Sequence, residues 1–174
     1  MIAAICVRML LISVGAISLA GCTFIDGTVS TAYYSAPPQP PMFIVLSSDS
    51  LSLTERNISA LIEAKMSARG YRKATSLEAA NIGVLYKYSI DPTGSVGNIP
   101  GSPIFYTSYP RRFIIAVIDL QKSKMPETIE ILWQGELYSE GSSRDISSLA
   151  PIFIEELFLT YGKSVTNRAF SVVR

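Results

Sequence analysis

The sequence predicts an α+β fold: a two-layer sandwich in which two helices lie on one face of a mixed, mainly antiparallel sheet of about four strands, ordered β-α-β-β-β-α. Three observations carry this. Two stretches repeat apolar residues at helical spacing. Four others alternate with period two or are apolar throughout. Only the first pair of neighbouring strands has a helix between its members, so that pair is expected to be parallel through a right-handed crossover and the rest an antiparallel meander.

Met42–Leu46 (MFIVL) is a short apolar run and reads as a buried strand. Ser52-Leu53-Thr54-Glu55 is a capping-box pattern that opens a helix. Behind it Ile58, Leu61, Ile62 and Met66 form one apolar stripe, and Gly70 sits where a left-handed stop belongs. Ile82–Ile90 alternates as a strand with one apolar and one mixed face. Arg112–Leu120 (RFIIAVIDL) is apolar on both faces and looks central. Ile129, Ile131, Trp133 and Leu137 alternate with Glu130, Gln134, Glu136 and Glu140 in a half-exposed strand, with Trp133 as a packing residue. Leu149, Ile152, Phe153, Leu157 and Tyr161 line a last helix, starting near Asp145 to Ser148 with Pro151 in its first turn and Gly162 as its stop. Val165–Val173 is ambiguous and compatible with extended chain.

Ahead of the domain, Arg8 is the only charge before an apolar run of 11 residues, Met9–Leu19, short of the roughly 20 a spanning helix needs. This fits the charged and apolar regions of a secretory signal. Small Ala20 and Gly21 then precede Cys22, and Leu19-Ala20-Gly21-Cys22 resembles the bacterial lipobox. That resemblance implies cleavage between Gly21 and Cys22, a diacylated Cys22 thiol and membrane anchoring. An ordinary signal peptide or an N-terminal anchor is the plain alternative. Thr23 stands where an Asp would imply inner-membrane retention, so the periplasmic leaflet of the outer membrane is expected, with the cell surface or inner membrane as alternatives.

The expected boundaries are therefore a signal over 1–21, a Pro-rich tether over 22–41 and one domain over 42–174. Pro37, Pro38, Pro40 and Pro41 forbid a helix in the tether, although Thr28–Tyr34 (TVSTAYY) has the composition of an edge strand. Cys6 leaves with the signal and Cys22 is consumed by the lipid, so no intrachain disulfide is expected.

Composition excludes several functions. Fifteen Lys and Arg against 14 Asp and Glu, a net charge of +1, give no broad basic face for nucleic acid. The absence of histidine removes Ser-His, Cys-His and His-metal chemistry. Gly94-Ser95-Val96-Gly97 lacks a P-loop Lys, and adjacent Glu155 and Glu156 point to different helix faces. No cofactor beyond the covalent lipid, no metal and no catalytic residue is expected.

The one segment that invites a functional reading is the long loop Asp91–Arg111, broken by glycines and prolines and rich in large side chains. Phe105, Tyr106 and Tyr109, beside Arg111 and Arg112, would form a binding loop for another envelope protein, an envelope glycan or a lipid. Alternatively, the aromatics fold back to cover the open end of the sheet.

The helix ending Ala68-Arg69-Gly70-Tyr71, the strand opening Ala79-Ala80-Asn81-Ile82-Gly83-Val84, and Leu132-Trp133-Gln134-Gly135, together with the lipobox, resemble the Gram-negative lipoproteins of domain of unknown function 4136. The resemblance spans Met42–Gly162. Asn81 replaces the family's usual Asp, and Gln134 its usual basic residue. What it implies is architecture and envelope location, with no reaction: a non-enzymatic interaction or structural module, or else a ligand-binding or enzymatic module that uses the aromatic loop.

Overall fold

Strand β6 (Phe105–Asp119), fifteen residues long, is the axis of the computed structural model, which describes residues 24–46, 52–98, 100–101, 103, 105–123 and 127–173. The other elements are β1 (Phe24–Tyr33), β2 (Met42–Val45), α1 (Leu53–Ala68), β3 (Arg72–Lys73), β4 (Ile82–Ile90), β5 (Ser95–Asn98), β7 (Ile131–Gly141), α2 (Ile146–Leu159) and β8 (Val165–Val173). The sheet runs β3-β2-β4-β6-β7-β1-β8, with β5 pairing β6 off that path. The α+β class and the two helices are as expected; the sheet has eight strands rather than about four.

The crossover and the meander form as the sequence indicates. β2 and β4 are parallel, with Phe43 opposite Ile82, and β4-β6-β7 are antiparallel, with Val84 opposite Val117 and Val117 opposite Trp133. Ser52 caps α1 in a complete capping box with Glu55, and Gly70 and Gly162 take the left-handed conformation (φ +85° and +74°) that ends each helix. Asp145 caps α2. Pro151 is the sixth residue of α2, beyond the expected first turn, and forfeits the bond to the Ser147 carbonyl from an exposed position.

The helices run side by side in the same direction. Thr54 Oγ1 meets Ser147 Oγ at 3.1 Å near their starts, Lys65 in the last turn of α1 pairs with Glu155, and Arg69 donates to the Phe158 carbonyl near their ends. Between them and the sheet, Ile58, Ile62, Met66, Phe153 and Leu157 meet Val29, Phe43, Val84, Phe113, Ile115 and Leu137 in one core. Trp133 is buried there, against Phe158 and Tyr161. Glu155 and Glu156 diverge as their adjacency requires, Glu155 to Lys65 and Glu156 to Arg168 at 2.7 Å.

Two segments correct the sequence reading, and a third, left ambiguous there, is resolved as strand. The tether expected over 22–41 is in large part β1, and no edge strand: it lies between β7 and β8, so the folded unit includes Phe24–Tyr33 and is not confined to residues from 42 on. Its core-facing positions are Ile25, Gly27, Val29 and Thr31; a glycine and a threonine dilute the alternation that marks a strand. Gly27 is needed because the Phe170 ring and the Tyr138 carbonyl fill the space above it. Asp91–Arg111 is not an irregular loop, since β5 and the first part of β6 make a hairpin within it. The tail forms β8, whose core-facing Arg168 hides the pattern because it neutralises Glu156.

Candidate functional site

Register makes the hairpin an arm. Tyr109–Ile118 of β6 pairs with β7, and Arg111–Asp119 pairs with β4, whereas Phe105–Ser108 has β5 as its strand partner. The arm therefore continues past the sheet's end. Asp91 accepts hydrogen bonds from the Thr93 amide (2.9 Å) and hydroxyl (2.6 Å), and these bonds hold its carboxyl below its ordinary value at the turn into the arm. Gly97 admits the Tyr106 ring: a Cβ there would lie 2.6 Å from Tyr106 Cζ.

The five residues of the expected binding loop do not make one site. Phe105 and Tyr106 stand out on the arm, 72% and 50% exposed, rather than folding back over the sheet. Tyr109 is half-buried, with the Arg144 guanidinium 5.1 Å above its ring. Arg111 is 2% exposed and lies across Gly141 on the helix side, where no other residue leaves it room. Burial lowers its pKa, Glu140 opposes the shift, and its Nε has no hydrogen-bond partner among the described residues. Arg112 points to the opposite, helix-free face and bonds Glu136 at 2.6 Å, which raises its pKa.

Arg111 and Arg112 do share a groove of about 590 Å³ at the base of the arm, lined also by Ser89, Asp91, Glu136 and Tyr138. Tyr138 donates to the Glu140 carboxylate, and that bond raises the phenol's pKa. Sequence reasoning missed Tyr138 and Arg144, and read Glu136, with Glu130 and Glu140, as part of a solvated strand face open to a cation or basic partner. Glu136 and Tyr138 were legible as outward positions of an alternating strand, but their meeting with Arg112 follows from the β6–β7 register alone. Two further cavities lie elsewhere: an apolar one of about 480 Å³ between Leu46, Leu77, Ala80 and Leu120, and one of about 240 Å³ beside Tyr33, Tyr71, Trp133 and Tyr161.

Chemically, the groove presents the Arg112 guanidinium and the Tyr138 phenol, both already engaged by carboxylates, beside the buried Arg111. Among the described residues no cluster of three or more Cys, Asp or Glu could hold a metal ion, and no helix is long and apolar enough to cross a membrane. Gly21 and Cys22, the expected cleavage and lipid-attachment residues, lie outside the described residues.

No curated protein matches the chain. Among solved structures, it resembles a PDZ domain protein from Parabacteroides distasonis at TM-score 0.57 and 14% identity, over 86% of this chain and 38% of that one. The chain thus spans little more than a third of that protein's length, and the likeness is one of fold. A DUF4136 family protein from Bacteroides thetaiotaomicron aligns at TM-score 0.47 and 16% identity, over 79% of this chain and 97% of that one. A PelC dodecamer subunit from Paraburkholderia phytofirmans aligns at 0.45 and 14%, over 80% and 99%. The family model for DUF4136, a domain of unknown function, matches residues 30–161, from the last four residues of β1 to just past the end of α2. The chain belongs to the DUF4136 family.

Proposed function

We propose that the protein is a lipid-anchored lipoprotein of the bacterial envelope, held in the outer membrane by acylated Cys22 and acting as a non-enzymatic interaction or structural module. The observation that carries this is the position of Leu19-Ala20-Gly21-Cys22 against the fold. The motif ends just before β1 begins at Phe24, so cleavage ahead of Cys22 removes the signal and spares all eight strands. Three acyl chains on Cys22 exceed the two signals that stable anchoring takes. The non-enzymatic part rests on the groove, where Arg112 is committed to Glu136 and Tyr138 to Glu140 instead of converging on a reacting centre.

A second reading has its own observation: the groove itself, in which Arg111 and Arg112 lie beside the aromatic Tyr138. There the module binds an envelope glycan, peptide or lipid.

Intact mass and membrane fractionation of the protein and its Cys22→Ser variant test the anchor. The expected result is a mature form of 153 residues starting at Cys22 with added acyl mass, absent in the variant. An unmodified chain in the soluble fraction overturns it.

A further inference from the structure

Val96 and Phe105 are the two most exposed large apolar side chains described, and both belong to the arm. Val96 lies opposite Thr107, and Phe105 opposite Asn98, which puts the two on one face of the hairpin; Tyr106 lies on the other face, over Gly97. An arm that is apolar on both sides is not shaped to lie against the sheet.

The register also fixes which end of the sheet carries it. Asp26 of β1 pairs with Glu140 of β7, Glu140 with Pro110 of β6, and Arg111 with Ile90 of β4. The start of β1 and the base of the arm therefore share one end. Val173, exposed and paired with Phe24, ends β8 there too. Cys22 precedes Phe24 by two residues, within about 7 Å of chain. β1 is two strands from β6, roughly 10 Å across, and Phe105–Ser108 carries the arm about 13 Å beyond the sheet's end. The arm and the start of β1, which follows the proposed acylation site by two residues, thus share one end of the sheet.

We infer that the arm is a second membrane contact: Val96, Phe105 and Tyr106 enter the interfacial layer of the leaflet that receives the Cys22 acyl chains. The inference rests on the anchoring reading above. Aromatic side chains favour that layer, with their rings among the upper acyl chains and polar tips in water. Hydration there also satisfies the unpaired outer edge of β5, which the hydrocarbon core would not. The charges around this end are mixed: Asp26, Asp91, Glu140 and Asp145 beside Arg112 and Arg144. Attraction to anionic lipid is therefore not the driving term, and the contact is insensitive to salt.

Trp133, the sole tryptophan, supplies the control. It is buried eight residues up β7 from Gly141, roughly 27 Å from the arm's end of the sheet. The Phe105→Trp variant and the parent are purified from membranes, weighed intact, and reconstituted in vesicles of phosphatidylethanolamine and phosphatidylglycerol with brominated acyl chains. The expected result is an acylated variant whose introduced indole is blue-shifted and loses most of its emission, unaltered by salt, while the parent's emission is unchanged. An acylated variant whose introduced indole emits as in water overturns the membrane arm, as does equal quenching in the parent. A variant without acyl mass overturns the anchoring reading, and this inference with it.

Discussion

Asn81 donates through Nδ2 to the Pro40 carbonyl at 2.7 Å, and on its other side its Oδ1 accepts the Met42 amide at 2.9 Å. One nearly buried side chain at the opening of β4 thus clamps the chain on both sides of Pro41, where β2 begins. The carboxamide is the only side chain of this size with both a donor and an acceptor at fixed positions.

Asn81→Asp is accordingly expected to destabilise the fold by about 1–3 kcal/mol at neutral pH, because a carboxylate then faces the Pro40 carbonyl with no proton to give. In acid the protonated carboxyl can donate again and the deficit shrinks. Urea unfolding of both proteins at neutral and acid pH measures this. A variant as stable as the parent at neutral pH would show that the clamp contributes nothing.

Such a clamp explains what the sequence withheld. Asn81 was visible as a departure from the family's Asp, but its partners lie about forty residues away across a parallel pairing. The elements that declared themselves were those with local signals: the Ser52–Glu55 box, the stripe from Ile58 to Met66, and the alternation of β4 and β7. The elements that did not are held by remote partners. β1 is made by β7 and β8, more than a hundred residues later in the chain, and its own glycine argues against a strand until the Phe170 ring is seen above it. At the candidate site, the residue types in Asp91–Arg112 were legible. Their scattering to three surfaces was not, because alternate residues of a strand face opposite ways.

Gly27 and Gly70 separate two reasons for being glycine. A Cβ on Gly27 would run into the Tyr138 carbonyl and lie 2.7 Å from the Phe170 ring, and the backbone oxygen cannot give way. Gly70 has open space around it and a φ of +85°. Gly27→Ala is expected to cost more than about 2 kcal/mol through overpacking in the sheet. Gly70→Ala should cost about 1–2 kcal/mol from backbone strain alone. Thermal unfolding of the two variants decides the order; a smaller loss for Gly27→Ala would mean that β1 shifts freely against β7.

Tyr161 provides an alkaline limit. Burial, then its hydrogen bond to the Tyr71 hydroxyl at 2.9 Å, raises its pKa well above the ordinary phenol value. Burial also raises Tyr86. Because the folded pKa is raised, the stabilisation is whole below the unfolded value near pH 10 and falls as pH climbs above it. Tyr161→Phe loses the Tyr71 bond, about 1 kcal/mol, at neutral pH. It also flattens the fall in stability above about pH 10, since one fewer buried phenol must ionise. Denaturant midpoints on either side of that pH test both effects. Equal alkaline slopes for parent and variant would place the limit elsewhere.

The arm and the core make opposite demands on similar side chains. Phe113 is fully buried, with Tyr86, Tyr88 and Phe153 around its ring, so Phe113→Ala removes packing and leaves a cavity worth about 3–5 kcal/mol. Phe105, eight residues earlier on the same strand and the same side, buries little that folding gains. Phe105→Ser together with Tyr106→Ser is expected to change stability by no more than about 0.5 kcal/mol per site. A residue that folding does not need is free to be kept for a contact outside the fold. Thermal unfolding of the detergent-solubilised protein measures this directly. A loss comparable to that of Phe113→Ala would show that the arm is part of the core after all, and would leave no apolar surface there for a membrane to receive.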